Sequence, residues 1–402
     1  MSDIEVQTIT TDAAWAELEG EWDALVERSA SATVFLTCEW LRPWWRHFRR
    51  EGDELAILAA RDGGVLVGLA PLYRCRIRAS YGVGSLRRLG FIGDHSGDSE
   101  YLDFAIEPGR EEEVLRGFLG HIETGPAGWD LAQFWLLPAS SPNLALLERL
   151  AAERDWLAES RQWPCLAIAL PGDWESYLAT LQPRFRSKLR SLLRKLPEEQ
   201  GATFDQCTDP AELPGRLESL FALHQQRWRA EGKPGSFASE ARRGFYREMA
   251  EAFLRRGWLR FHSLRLGGRF AAHEFSFEHL GRVYFLQQAF DTAHAALNAG
   301  TALKAHVIRE SIGRGAREYD FLGGDAAYKQ KWGTERRECV FLTLARPTGR
   351  ARVHLALPRL GRRLRDGGRA LTPAPLLRLK RRAQEWLRRR RVPPSEGQEA
   401  SE

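Results

Sequence analysis

Apolar residues recur along this chain with two periods, one helical and one alternating, and their order is informative. Over residues 12–28, Trp15, Leu18, Trp22, Leu25 and Val26 keep helical spacing, and residues 39–49 form a second, aromatic-rich helix with Trp40, Trp44, Trp45 and Phe48. Strands at 55–60 and 65–73 follow, joined across Arg61-Asp62-Gly63-Gly64, a turn that suits a hairpin. A strand at 101–106 passes through Glu107-Pro108-Gly109 into a helix over 111–122. A strand at 131–137, a helix at 143–153 and a strand at 166–170 complete this half.

The second half repeats the order. Helices over 174–195, 213–230 and 239–256 lead into a hairpin of strands at 258–266 and 269–277 across Gly267-Gly268. A strand at 282–289, a helix over 300–313, a strand at 319–322, a short helix at 328–332 and a strand at 340–345 follow. The same succession twice is the duplication of a whole supersecondary unit, not a short-period solenoid. The fold class predicted is a mixed α/β sheet whose hairpins feed βα crossovers, in two units over 1–171 and 172–346 with a tail over 347–402.

Composition adds three points. The chain has 402 residues, of which 14 are Trp, so most indoles must be at least partly buried and each N–H needs a partner. No apolar run approaches the roughly 20 residues of a membrane-spanning helix, and the start MSDIEVQTITTDAAW has no basic region followed by an apolar one. A cytoplasmic protein is therefore expected, with peripheral contact at the inner membrane face as an addition. Cys38, Cys75, Cys165, Cys207 and Cys339 are scattered and form no CxxC pair, which reads as buried free thiols and predicts no metal.

Charge is uneven. Residues 347–392 hold 15 Arg and Lys against Asp366 and Glu385, a net of +13. Residues 393–402 carry −3, which leaves −4 for residues 1–346 of a chain whose total is +6. Leucines interleave the tail arginines, as in basic amphipathic helices that lie on anionic membranes. A packed helix with a solvated basic side is the plainer alternative. RNA ranks behind both, because no aromatic stacking pattern accompanies the charges, and DNA is not expected.

The segment Asp291-Thr-Ala-His-Ala-Ala-Leu-Asn-Ala-Gly300-Thr-Ala-Leu and the segment Tyr319-Asp-Phe-Leu-Gly-Gly-Asp-Ala-Ala-Tyr328-Lys-Gln-Lys-Trp-Gly333 together resemble a known signature. It is that of GNAT acyltransferases of the cellulose- and exopolysaccharide-associated (CelD-like) group, relatives of the Fem-type transferases. Phe35-Leu-Thr-Cys-Glu-Trp40, Gly68-Leu-Ala-Pro-Leu-Tyr73 and Leu223-His-Gln-Gln-Arg-Trp228 are similar to that group as well. The resemblance spans roughly residues 10–346. It implies tandem GNAT-like folds, a substrate or scaffold role for the first, and acyl transfer from acetyl-CoA or a longer acyl-CoA to an amine in the second. A sugar or a surface-polymer precursor is among the acceptors it brings to mind. Two alternatives stand beside it: an aminoacyl-tRNA-dependent transferase, and a non-catalytic accessory protein of polysaccharide export. The usual GNAT pyrophosphate loop is absent; only Leu297-Asn298-Ala299-Gly300-Thr301 stands in its place.

Candidate residues follow. Asn298, Gly300 and Thr301 open a helix just after a strand, with Lys304 one turn on, an arrangement that suits a phosphate; a plain cap is the alternative. Gln288, with Gln287 and Asp291, ends the strand that in GNAT folds splays to admit the pantetheine arm. The Tyr328-Lys329-x-x-Trp332-Gly333 match implies that Lys329 stabilises the developing oxyanion beside Tyr328, against the alternative of a solvated surface charge. Asp320 and Glu274 are candidate bases, with a structural ion pair and a solvent-facing strand residue as their respective alternatives; His273 reads as a packed core histidine. Arg184, Arg186 and Arg190 line the basic face of an amphipathic helix that can meet a phosphorylated substrate or simply be solvated, and Trp228 joins them as a substrate-binding candidate. Truncation after residue 345 is expected to leave a folded protein that has lost affinity for anionic vesicles, most visibly at low salt. Unchanged vesicle sedimentation, or sedimentation indifferent to salt, contradicts the membrane role of the tail.

Overall fold

The computed structural model describes residues 4–82, 84–125, 128–230 and 232–357. The first half runs β1 (Glu5–Ile9), α1 (Asp12–Glu17), α2 (Glu19–Arg28), α3 (Cys38–Phe48), β2 (Glu54–Leu55), β3 (Ile57–Asp62), β4 (Val65–Ala70), β5 (Leu72–Arg78), β6 (Ser85–Phe91), β7 (Ala105–Ile106), α4 (Glu111–Thr124), β8 (Leu131–Pro138), α5 (Pro142–Ala152) and β9 (Leu157–Ala169). The second runs α6 (Trp174–Thr180), α7 (Pro183–Gln200), β10 (Thr203–Gln206), α8 (Leu213–Ala230), α9 (Glu240–Arg255), β11 (Leu259–Leu266), β12 (Arg269–His279), β13 (Arg282–Phe290), α10 (Ala299–Gly313), β14 (Glu318–Gly323), α11 (Ala327–Gln330) and β15 (Glu335–Ala345).

The doubled order is present, with local departures. The helix predicted over 174–195 is two helices. Gln182 takes an extended ψ of 136° because it precedes Pro183, which then opens α7 at its first position. The helix predicted over 12–28 also divides, at Leu18. Strands β1, β6 and β10 were not predicted. β1 and β10 are short edge strands, and β6 carries Arg87 and Arg88 in its centre, which mask its apolar alternation.

Two sheets form, one of order β1-β3-β4-β7 and one of order β10-β11-β12-β13-β14-β9-β15-β8-β6-β5-β2. Pro71 stands between β4 and β5, where the first-half arm passes from the small sheet to the large one. The strand expected over 166–170 begins earlier, at Leu157. That strand is β9, and it pairs antiparallel with β14 on one side and β15 on the other. β15 in turn pairs antiparallel with β8. Each half thus ends with a strand seated beside a strand of the other. Cys165 of β9 and Cys339 of β15 come within 3.4 Å, Sγ to Sγ, as buried free thiols.

The core crosses the halves in the same way. Trp40 of α3 is fully buried and packs its ring against Phe35 at 4.8 Å, Phe245 at 5.1 Å and Phe277 at 5.6 Å, the last two from the second half. Its indole donates to Ser99 Oγ at 2.9 Å, and Trp22 donates to the Leu36 carbonyl at 2.7 Å. The expectation that every indole finds a partner does not hold throughout: those of Trp15, Trp44, Trp45 and Trp129 are buried without one.

Among the described residues, those up to 77 together with 86–347 form one compact unit, and those of 78–85 with 348–357 a second. Within the second, residues 349–357 are helical, and Ser80 Oγ donates to the His354 carbonyl at 2.8 Å. Residues 358–402, which hold most of the basic tail, lie outside the described residues. No helix among the described residues is long and apolar enough to cross a membrane. Because both halves share the packing around Trp40, Trp40→Ala should cost about 3–5 kcal/mol and both halves should unfold in one transition. Hydrogen exchange that shows only the first half losing protection contradicts a shared core.

Candidate active site

The site is made by a parting of strands. β12 and β13 pair antiparallel with a register shift: Phe275 faces Gln287 but Ser276 faces Phe285, so Leu286 is bulged. Beyond the bulge β13 runs on to Phe290. Its parallel partner β14 meets it only at Arg282 with Glu318, Val283 with Tyr319 and Tyr284 with Asp320. The strands therefore diverge after Tyr284, and α10 begins beside the divergence.

A cavity of about 530 Å³ occupies this corner, lined by Gln182, Arg184, Phe185 and Lys188, by Gln288, Gly300, Thr301 and Lys304, and by Tyr328, Lys331 and Trp332. Four of these side chains are cationic and none is a carboxylate. The amino end of α10 opens here: the Asn298 carbonyl accepts from Thr301 N at 2.9 Å and Ala302 N at 3.0 Å. Gly300 is small for a packing reason, since a Cβ on it would lie 3.3 Å from Phe290 Cδ1 and 3.4 Å from Gln288 Oε1.

Below the cavity lies a buried charged network. Glu274 is fully buried on β12, and its carboxylate accepts from Lys304 Nζ at 2.9 Å, Tyr319 Oη at 2.5 Å, Gln288 Nε2 at 3.2 Å and Ser276 Oγ at 3.3 Å. Lys304 Nζ also donates to Tyr319 Oη at 3.1 Å and lies 3.2 Å from the centre of the Phe285 ring. Phe285 belongs to β13 and Tyr319 to β14, so the ammonium stands between the two diverging strands. Burial lowers the Lys304 pKa to about 8, with Glu274 opposing the shift.

Several predicted residues are placed otherwise than expected. Lys304 lines the cavity one turn into α10, but its ammonium turns inward to Glu274. Glu274 faces a packed interior rather than solvent, and its carboxylate is occupied by four donors, Lys304 among them, which makes it a counter-ion before a base. Lys329 is neither solvated nor free. Its Nζ donates to the carbonyls of Phe321 at 2.8 Å, Leu322 at 3.3 Å and Gly323 at 2.6 Å, which engages all three N–H groups and leaves none for an oxyanion. Asp320 holds neither Lys329 nor a cavity group: Oδ2 accepts from Tyr101 Oη at 2.8 Å and Oδ1 from Leu322 N at 2.7 Å, and burial raises its pKa to about 6. Asn298 does not cap α10 with its side chain; its Oδ1 accepts from Lys188 Nζ at 2.7 Å.

Gln288, Gly300, Thr301, Tyr328 and Arg184 do converge on the cavity. Arg190 is instead paired with exposed Glu175, and Arg186 does not line the cavity. Trp228 lies elsewhere, its indole donating to His224 Nε2 at 2.9 Å. His273 is packed between Ser263 Oγ and Ser219 Oγ, each at 2.9 Å. Sequence reasoning missed Tyr319, Lys188 and Lys331. Tyr319 was legible in principle, because strand alternation puts it and Phe321 on the face opposite Asp320.

The first half has the matching elements without the matching site. β6 and β8 pair in parallel over Arg88 with Leu131, Leu89 with Ala132 and Gly90 with Gln133. The following helix, α4, starts with Glu111, Glu112 and Glu113; Glu111 accepts from Gly109 N at 2.9 Å, and Glu112 and Glu113 pair with neighbouring arginines. That amino end is already neutralised by its own acids.

No curated protein is similar enough to match the chain. Among solved structures, FemX is 14% identical and aligns over 84% of this chain and 96% of its own, with a TM-score of 0.57. A conserved protein of unknown function from Bacteroides thetaiotaomicron VPI-5482 is 13% identical over 85% of this chain and 100% of its own, with a TM-score of 0.54. At such identities the likeness is one of fold. Residues 183–330, which contain α7, the diverging strands, α10 and the buried Lys304–Glu274 pair, match the family model of the acetyltransferase (GNAT) domain, so the second half carries a GNAT acetyltransferase domain.

Proposed function

We propose that this chain is an N-acyltransferase that draws its acyl group from a thioester of the acyl-CoA type, acetyl-CoA or a longer homologue, and passes it to an amine. The observation that carries the reading is the cavity at the amino end of α10, ringed by Arg184, Lys188 and Lys331 without a carboxylate and opening onto the divergence of β13 and β14. Helix dipole, first-turn N–H groups and cations together favour the phosphates of such a donor. The stretch of β13 beyond Tyr284 has no partner in β14 and offers an extended arm its main chain.

Lys304 takes the role that the resemblance assigned to Lys329. Glu274 and Tyr319 engage two of its N–H groups, and the third, set against the Phe285 ring with no hydrogen-bond acceptor, is the one a carbonyl oxygen in the gap would take. The amine nitrogen adds to the thioester carbon, the oxyanion is held by the ammonium, the C–S bond breaks, and the nitrogen passes its proton to solvent water, from which Tyr328 regains the proton it gives to sulfur. Tyr328, on the cavity wall, is placed to protonate the departing thiolate. Kinship with the exopolysaccharide-associated group, and an acceptor from that setting, belong to this proposal.

CoA and its acyl derivatives should raise the melting temperature with concentration. Lys188→Glu, an exposed change, should weaken that binding by ~10-fold or more at low salt. No shift with any CoA species moves the reading to an aminoacyl-tRNA donor or to a non-catalytic role. The two lysines should separate cleanly. Lys304→Met paired with Glu274→Gln, which removes both buried charges together, should lower turnover by ~10²–10³-fold. Wild-type turnover should fall as pH rises through about 8, where the Lys304 ammonium loses its proton. Lys329→Met leaves three strand-end carbonyls unpaired and should cost about 1–3 kcal/mol of stability with turnover per folded molecule retained. A rate that climbs through pH 8, or that collapses in Lys329→Met, reverses the assignment.

A further inference from the structure

The two sheets part in the first half and leave between them a cavity of about 290 Å³ that the acyl-transfer site does not use. It opens where the chain passes Pro71 and the Ala56 amide donates to the Leu72 carbonyl at 3.0 Å. Leu58 of β3 lines it from the small sheet, and Leu72 of β5 and Leu89 of β6 line it from the large one. Ile122 of α4 and the buried Trp129 complete an apolar wall. Thr8 of β1, the register partner of Leu58, lines it too and fastens the last turn of α4, its Oγ1 lying 2.7 Å from His121 Nε2.

A single arginine joins this lining, and no carboxylate does. Arg74 stands two residues beyond Leu72 on β5, so the two side chains take the same side of the strand. It is half-buried, and among the described residues it makes no ion pair; Glu54, directly opposite it on β2, lies outside ion-pair distance. The charge of Arg74 is felt on the far wall. Burial first and Arg74 second hold the His121 pKa below the ordinary histidine value, so His121 adds no charge of its own near pH 7. The carboxyl end of α4 sets about half a negative charge against the full positive charge of Arg74. A half-desolvated, unpaired guanidinium beside an apolar space favours an anion brought to it.

We propose that this cavity binds a fatty acid, whose alkyl chain lies between the two sheets and whose carboxylate meets Arg74. A cavity of about 150 Å³ takes benzene, so this one is sized for a single chain of roughly ten carbons. Each methylene withdrawn from water raises affinity roughly fourfold, which makes the chain the main source of binding and Arg74 the source of head-group choice. An ammonium head would meet the arginine with like charge. A phosphate finds none of the N–H groups that α10 offers, because the helix end bordering this cavity is a carboxyl end. The inference does not depend on the acyl-transfer reading. It gives the first half, whose α4 amino end is closed by its own acids, a ligand of its own.

The test is calorimetric titration of the full chain with decanoate, hexanoate and decyltrimethylammonium, each below its micellar concentration. Decanoate should bind at least ~10-fold more tightly than hexanoate, and the cationic amphipath should not bind. Arg74→Gln, a half-buried change, should weaken decanoate by ~10-fold. Thr10 is exposed and lines the cavity; Thr10→Trp sets a ring across that edge and should block decanoate while the melting temperature of the free protein stays unchanged. Saturating CoA should leave decanoate binding as it was. No binding of decanoate, equal binding of the two ten-carbon amphipaths, or wild-type affinity in Arg74→Gln or Thr10→Trp overturns the assignment. Competition with CoA would place the fatty acid in the second-half cavity and overturn it as well.

Discussion

Lys304 and Glu274 meet at 2.9 Å in an interior where neither charge can stand alone. A buried ammonium needs a carboxylate, a buried carboxylate needs its remaining lone pairs filled, and the second half supplies both requirements from four elements. Glu274 comes from β12, Lys304 from α10, Tyr319 from β14 and Gln288 from β13. Gln288 Nε2 also donates to the Gly300 carbonyl at 2.9 Å, which ties the network to the first turn of α10. The pair therefore sets how close α10 lies to the sheet, and with it the width of the gap between β13 and β14. Packing alone would close such a gap. A charged plug that must keep its partners holds it at a fixed opening, with the ammonium facing inward.

The same gap depends on events far along the chain. β14 is anchored on its other side by β9, a strand that belongs to the first half by sequence, and β9 is held by β15. The exchange of terminal strands makes the position of Tyr319 and Asp320 a property of both halves. Tyr101 from the first half fastens Asp320 directly. Lys329 then secures the end of β14 through three carbonyls, which fixes the turn carrying Tyr328, Lys331 and Trp332 against the cavity. The duplicated unit has thus diverged by function of its interior. In the first half Arg88 of β6 instead joins Asp94 and Tyr73 in a buried network, with Tyr73 Oη donating to Asp94 Oδ1 at 2.7 Å.

Much of this was legible from local pattern. The two Gly-Gly hairpins, the bounds of α8 and the doubled order of elements follow from periodicity and turn chemistry, which are short-range properties. The partners of β9 and β15 were not legible, because alternation says which face a residue takes and nothing about which strand lies beside it. Lys304 and Lys329 show the same limit at the site. Both are lysines four residues from a glycine, Gly300 or Gly333, and only the packing distinguishes them: Lys304 lies among Ala302, Leu303 and Ala305 on a helix buried nearly all round, whereas Lys329 finds backbone oxygens. The run Ala299 to Ala305, with no other polar side chain than Thr301 and Lys304, carried the available signal for a buried cation.

Hydrogen–deuterium exchange in the presence and absence of CoA tests the central claim most directly, since it reports donor contact residue by residue without a chosen acceptor. Slowed exchange should appear in Leu286–Phe290 of β13, in residues 299–304 at the start of α10 and in residues 184–188 of α7, with none at the start of α4. No protection in the second half, or protection centred on residues 109–115, would contradict the placement of the donor site beside the Lys304–Glu274 pair.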